Sequence, residues 1–178
     1  MVGLFSKLKG VREPVAGVAP LPPEELKQRL LALNDDQLPF VISQGPGGTD
    51  GDVVAEWKIV DAQWYEIFAK ASLTKTHRIY LTLSSASGEV RALEESWDVE
   101  WRAGVPSLSV SAEAFRGRTI GSKSFGTAYA WKGVNPLNYG QVYDYRFNVS
   151  EMKDPIADVV TRAGWTFRPV LRKGKLDG

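Results

Sequence analysis

The sequence predicts an α+β domain: an antiparallel meander of five to six strands packed with two to three helices, with a closed or partly closed β-barrel carrying a C-terminal helix as the alternative. Three observations lead there. After Thr74 the apolar period changes from near 3.6 to 2, short turns separate the alternating runs, and the helical patterns lie outside those runs.

From the N-terminus, Leu4, Phe5 and Leu8 stand at helical spacing, so Met1–Lys9 predicts a short amphipathic helix or a frayed end. The next stretch, Val11–Pro23, holds four of the ten prolines, which predicts an extended linker. Residues 1–21 are therefore assigned to a flexible tail and linker, 22–172 to one domain, and 173–178 to a C-terminal tail. Pro22 and Pro23 suit the first turn of a helix running to about Asn34, with Leu26, Leu30 and Leu33 on one face. Pro39–Ser43 predicts a strand, and the loop Gly45–Asp52 follows with four glycines and a proline.

Val53–Ala71 contains no Gly or Pro, and Val54, Trp57, Val60, Trp64, Ile67, Phe68 and Ala71 recur at steps of three and four. That pattern predicts the longest helix, with Asp52 as its N-cap. Ile59 and Tyr65 fall off the stripe, which a misread strand would also explain. Ile79, Leu81 and Leu83 then alternate with polar residues. In Glu89–Arg102, Trp97, Val99 and Trp101 oppose Ser96, Asp98, Glu100 and Arg102, the latter row predicted to face solvent. Further strands are predicted around Leu108–Ala114, Phe125–Trp131 and Val142–Val149, with a loop at Gly133–Gly140. Asp154 as cap, Pro155 at the first helical position and Gly164 beyond the end predict the last helix, and Trp165–Leu171 a final strand.

Composition narrows the chemistry. There is no cysteine, which removes disulfides, thiolate metal sites and cysteine nucleophiles and fits a cytoplasmic protein. A formal charge of +1 supplies no bulk attraction to polyanions, so nucleic acid is disfavoured as a partner. No run approaches the roughly 20 apolar residues of a membrane span, and no signal-peptide core is present. The single histidine, His77, nominally offers a triad imidazole, but its place at a strand start predicts a solvent-facing residue. Asp50, Asp52 and Glu56 do not match a calcium loop, Gly45–Gly48 lacks a Walker lysine, and in Gly117–Ser124 the spacing of a P-loop fails by one residue on each side. No metal, cofactor or catalytic residue is implied, and a non-catalytic role is favoured over an enzyme.

One region does carry a local signal. Between Glu113 and Asp144 there is no acidic residue, while Arg116, Arg118, Lys123 and Lys132 stand among Phe115, Phe125, Tyr129 and Trp131. Basic side chains interleaved with aromatics bind anionic groups and stack on planar ones. Arg116, Arg118, Lys123, Tyr129, Trp131 and Lys132 are the candidate binding residues, for an anionic ligand, a protein partner or a second copy of the chain. Against this stands neutralisation by the preceding acidic strand, Glu94, Glu95, Asp98 and Glu100, across the sheet. The six tryptophans raise a second possibility, an aromatic-lined cavity for an apolar or lipid-like ligand, against ordinary core packing.

The segments VAEWKIVDAQWYEIF (Val54–Phe68), VEWRAGVPS (Val99–Ser107), AFRG (Ala114–Gly117), FGTAY (Phe125–Tyr129), VYDYRF (Val142–Phe147) and GWTF (Gly164–Phe167) resemble a group of uncharacterised bacterial proteins over about residues 52–170. The resemblance implies a bacterial, cytoplasmic setting and no known activity, and it transfers no residue role.

Overall fold

A computed structural model describes residues 10–59, 74–103, 105–110, 123–125, 128–129, 142–143, 146–171 and 173–176. Helix α1, Pro23–Leu31, starts on its proline and buries Leu26 and Leu30. Strands β1 (Phe40–Gln44), β2 (Val53–Trp57), β3 (Lys75–Ser84), β4 (Glu89–Arg102) and β5 (Val105–Val110) follow. Helix α2, Ser150–Arg162, leads into β10, Thr166–Val170. These six strands form one sheet in the order β1-β2-β3-β4-β10, with β5 also on β4. The sheet is open rather than a closed barrel, and both helices pack on one face of it.

Every pairing in this sheet is antiparallel except the last. Strand β10 runs parallel to β4, with Phe167 opposite Val90 and Val170 opposite Leu93. The alternation in Trp165–Leu171 predicts a strand but not its direction; the crossover through α2 sets that. Because β10 covers Glu89–Leu93 and β5 covers Trp97–Arg102, Glu94, Glu95 and Ser96 lie between the two neighbours.

The helix predicted over 53–71 is corrected at its start. Val53–Trp57 is a strand hydrogen-bonded on both sides, to β1 and to β3. Val53, Ala55, Trp57 and Ile59 are buried, whereas Val54, Glu56 and Lys58 are half-buried, a period of 2. Pairing on two sides satisfies the backbone that a helix would have satisfied alone, and core contacts decide. Residues 60–71 lie outside the described residues. Asp52 is accordingly no helix cap. Its Oδ2 accepts from the Leu83 N–H at 2.8 Å, while its own N–H donates to the Leu81 carbonyl at 2.7 Å, which laces the start of β2 to the end of β3.

The last helix also begins earlier than predicted. Pro155 sits inside α2, not at its first position. Fully buried Val149 and Met152 anchor an extra turn, and the Met152 and Lys153 N–H groups close on the Val149 carbonyl at 3.2 and 2.9 Å. That burial outweighs the one backbone hydrogen bond that proline cannot donate. The helix ends as expected, on Gly164 at φ 78°.

One core joins the layers. Leu26 and Leu30 of α1 and Met152, Ile156, Ala157 and Val160 of α2 meet Phe40, Ile42, Ala55, Ile79, Leu81, Val90, Ala92 and Phe167 of the sheet. On the opposite face the register aligns Val54, Tyr80, Leu93 and Val170 in one row across four strands. Leu176 closes over that row and is fully buried, so the chain end predicted as a tail folds back on the sheet at residues 173–176.

The β1 and β10 edges are each covered by a single residue. On β1, the Asn34 side-chain amide stands in for a strand: its Nδ2 donates to the Ile42 carbonyl and its Oδ1 accepts from the Ile42 N–H, each at 2.7 Å. On β10, Arg12 exchanges two backbone hydrogen bonds with Phe167, each 2.9 Å, and Pro169 lacks an N–H to offer a further strand. Residues 10–21, predicted as a flexible linker, are bonded along α2 and β10, with a turn at Ala16–Gly17 closed by the Val18 N–H on the Val15 carbonyl at 3.3 Å.

Candidate functional site

The candidate binding region lies between β5 and α2. There β6 (Lys123–Phe125) pairs with β9 (Arg146–Asn148), and β7 (Ala128–Tyr129) pairs with β8 (Val142–Tyr143). The two ladders share one antiparallel register: Lys123 opposite Asn148, Phe125 opposite Arg146, Ala128 opposite Tyr143 and Tyr129 opposite Val142. The pairs of the two ladders have the same register sum, as successive pairs of one antiparallel arrangement would, although they form two separate two-stranded sheets. Lys123 is on β6 and Tyr129 on β7. Arg116, Arg118, Trp131 and Lys132 lie outside the described residues.

The acidic strand proposed to neutralise this region has other partners. Glu94 Oε1 accepts from Lys153 Nζ at 2.9 Å, Asp98 lies 3.9 Å from Lys75, and Glu100 is 3.2 Å from Arg102. Glu95 accepts from the Tyr80 hydroxyl at 2.9 Å and from the Trp97 indole at 3.1 Å. Beside it, Arg78 lies over the Trp97 ring at 4.7 Å and bonds Glu56 at 2.7 Å. Burial, with the Glu95 hydrogen bond second, pushes the Tyr80 phenol up to about 12, so it stays a donor to that carboxylate throughout the working pH range.

His77 requires a correction. It is 1% exposed, on the core face, directly opposite Ser96, which is 2% exposed. The predicted solvent row of β4 is therefore turned inward at Ser96, and only its far end, Glu100 and Arg102, is exposed. Trp97 and Trp101 are half-buried, and Val99 is buried. Burial, then the nearby Lys75 charge, lowers His77 to about 4, so the imidazole is neutral at physiological pH.

Ser96, His77 and Glu94 have the residue types of a hydrolytic triad, and the register brings them to one patch. Their surroundings argue for another task. A nucleophile must meet a substrate, and Ser96 and His77 are enclosed. The carboxylate that would orient the imidazole is instead held by Lys153 of α2, a pair with side-chain exposures of 3% and 19%. Glu94 follows Ile42, Ala55 and Ile79 in the register across the core face, just past the end of β10. A charge is tolerated there because Lys153 reaches it from the helix above. The patch fixes α2 on the sheet.

The tryptophans considered for a ligand cavity are used in packing where they are described. Trp57 is 4% exposed and meets Phe40 edge-on, centroids 6.3 Å apart at 87°. Trp97 lies under Arg78 and Trp101 packs on the core margin. Trp64 lies outside the described residues. Among the described residues there is no cluster of three His, Asp or Glu able to hold a metal ion, and no helix is long and apolar enough to cross a membrane. The signal missed in the sequence was Lys153: nothing in a linear pattern links it to Glu94, 59 positions away. Compared with protein-family models, curated proteins and solved structures, the chain matches none.

Proposed function

We propose that the protein is a non-catalytic binding module whose contact surface is the basic, aromatic hairpin between β5 and α2, and whose partner presents acidic groups. The observation that supports this reading is the single register running from the Lys123–Asn148 pair to the Tyr129–Val142 pair, within a stretch that has no acidic residue between Glu113 and Asp144. Lys123 and Tyr129 share that register, and in the sequence Trp131 and Lys132 follow within three positions of Tyr129. Glu94, Glu95 and Asp98 of β4 have partners on α2 and β3, and in this reading the basic residues meet acidic groups of a partner, a second copy of the chain included. The cysteine-free composition suits the cytoplasmic setting this reading assumes.

The test uses the full chain and its Arg116→Ala/Arg118→Ala/Lys123→Ala variant, with heparin as the anionic probe and sedimentation velocity for self-association. Three surface charges at a contact are worth roughly tenfold in affinity at moderate salt. The variant should lose about that much while keeping its circular dichroism. Heparin affinity and sedimentation both unchanged would overturn the proposal.

A further inference from the structure

Residues 10–21 do more than cover an edge: they show what the groove between α2 and β10 recognises. Arg12 reaches Asp154 and, at 3.5 Å, Asp158, two carboxylates one turn apart on the outer side of α2. Its backbone N–H and carbonyl pair with the edge of β10 at Phe167. Further along, the Val15 N–H donates to the Thr161 carbonyl at 3.0 Å and the Leu21 N–H to the Ala163 carbonyl at 3.0 Å, both from the last turn of α2. The Trp165 indole N–H donates to the Leu21 carbonyl at 2.9 Å. Gly164 lets the arm pass close by, since a Cβ there would fall 2.7 Å from the Ala19 carbonyl carbon and oxygen.

At Arg12 the contact is a two-bond bridge plus an arginine site, the mode by which a sheet edge takes a peptide, and around the turn at Ala16–Gly17 the arm bonds the carbonyls at the end of α2. They are also thinly held. Arg12 is 39% exposed in its side chain, Val15 is 48% exposed, and residues 16–20 are exposed throughout. A segment with few buried contacts opens well below the global unfolding free energy. Opening leaves the Phe167 N–H and carbonyl and the acidic pair without their covering, a template for another extended chain.

We propose that the α2–β10 groove is a docking site for an arginine-bearing arm that bridges the sheet edge and turns onto the end of α2, and that its occupant in trans is residues 10–21 of a second copy. The copy's arm carries every feature the groove engages: an arginine for the two aspartates, backbone spacing for Thr161 and Ala163, and small residues to pass Gly164. Exchange of an identical element between copies preserves every contact and adds none that must be newly evolved. The cis arm competes with the incoming one, so the apparent affinity of the groove scales with the fraction of chains whose own arm is lifted. This site is separate from the hairpin, and neither proposal needs the other.

The experiment titrates a fluorescein-labelled peptide of residues 10–22 with full-length chain and follows its anisotropy. Arg12→Ala in the chain removes an exposed ion pair from the cis arm and should raise peptide affinity about two- to fivefold by enlarging the open fraction. Arg12→Ala in the peptide should lower affinity for both chains by a similar factor. Circular dichroism and thermal melting confirm that the chain variant is folded. Equal affinity for both chains would mean that the peptide binds elsewhere, and no binding up to millimolar peptide would mean that the groove takes no arm in trans; either overturns the proposal. A second measurement needs no variant: in a co-refolded mixture of isotope-labelled and unlabelled chains, filtered cross-relaxation between Arg12 of one copy and Phe167 of another should appear, and its absence at millimolar concentration refutes exchange.

Discussion

Lowering the pH should destabilise the fold through His77 before carboxylates titrate in bulk. The imidazole is 1% exposed, and burial, aided by Lys75, lowers it from 6.5 to about 4. On β4, Glu94 lies two positions from Ser96, the register partner of His77, and is paired with Lys153. Because the folded value lies below the unfolded one, the unfolded chain binds the proton first. Stability is complete above pH 6.5, falls between 6.5 and about 4, and falls no further once both states are protonated. The drop corresponds to about 3 kcal/mol at about 1.4 kcal/mol per pH unit, a large part of a typical 5–15 kcal/mol fold. Urea unfolding at intervals from pH 8 to 4 measures it, with His77→Gln as reference. The variant carries no titrating group at that position, so the wild-type minus variant curve isolates the imidazole from the carboxylates. A difference curve flat across that window would refute the reasoning, since it would mean that His77 meets water in the folded state.

The remaining predictions concern the two devices that hold the layers and edges. Lys153→Met leaves the nearly buried Glu94 carboxylate without its cation and should cost about 3 kcal/mol in urea unfolding, whereas Glu94→Leu/Lys153→Met should recover most of it; equal losses in single and double variants would show that the pair is not coupled. Asn34→Ala removes both hydrogen bonds to Ile42 and should cost about 1–2 kcal/mol, with faster amide exchange confined to β1; unchanged exchange at Ile42 would show that water replaces the amide without loss.

How much of this was legible in the sequence differs by element. Leu26 and Leu30, the Gly164 helix end and the alternation of Ile79, Leu81 and Leu83 are local signals, and the structure uses them as local signals. Residues 53–59 misled because Val54, a half-buried valine, completes a helical stripe with Trp57. The discordant Ile59 was the better guide, since it belongs with Val53, Ala55 and Trp57 to a period of 2. Of the candidate binding residues, the ladders describe the backbone of Lys123 and Tyr129; Arg116, Arg118, Trp131 and Lys132 fall outside the described residues.

The sequence by itself determined the α+β class, the starts and stops of most elements, the absence of thiol chemistry and the uneven charge between Glu113 and Asp144, because each depends on side-chain period, backbone preference or composition within a few residues. Only the tertiary structure decided that β10 runs parallel to β4, that His77 and Ser96 face inward, that Lys153 neutralises Glu94, and that Arg12 and Asn34 cover the β10 and β1 edges. Alternation says that two rows of a strand face opposite ways, but which row is covered depends on where a helix lands. Partners 59 and more positions apart meet only once the chain has packed.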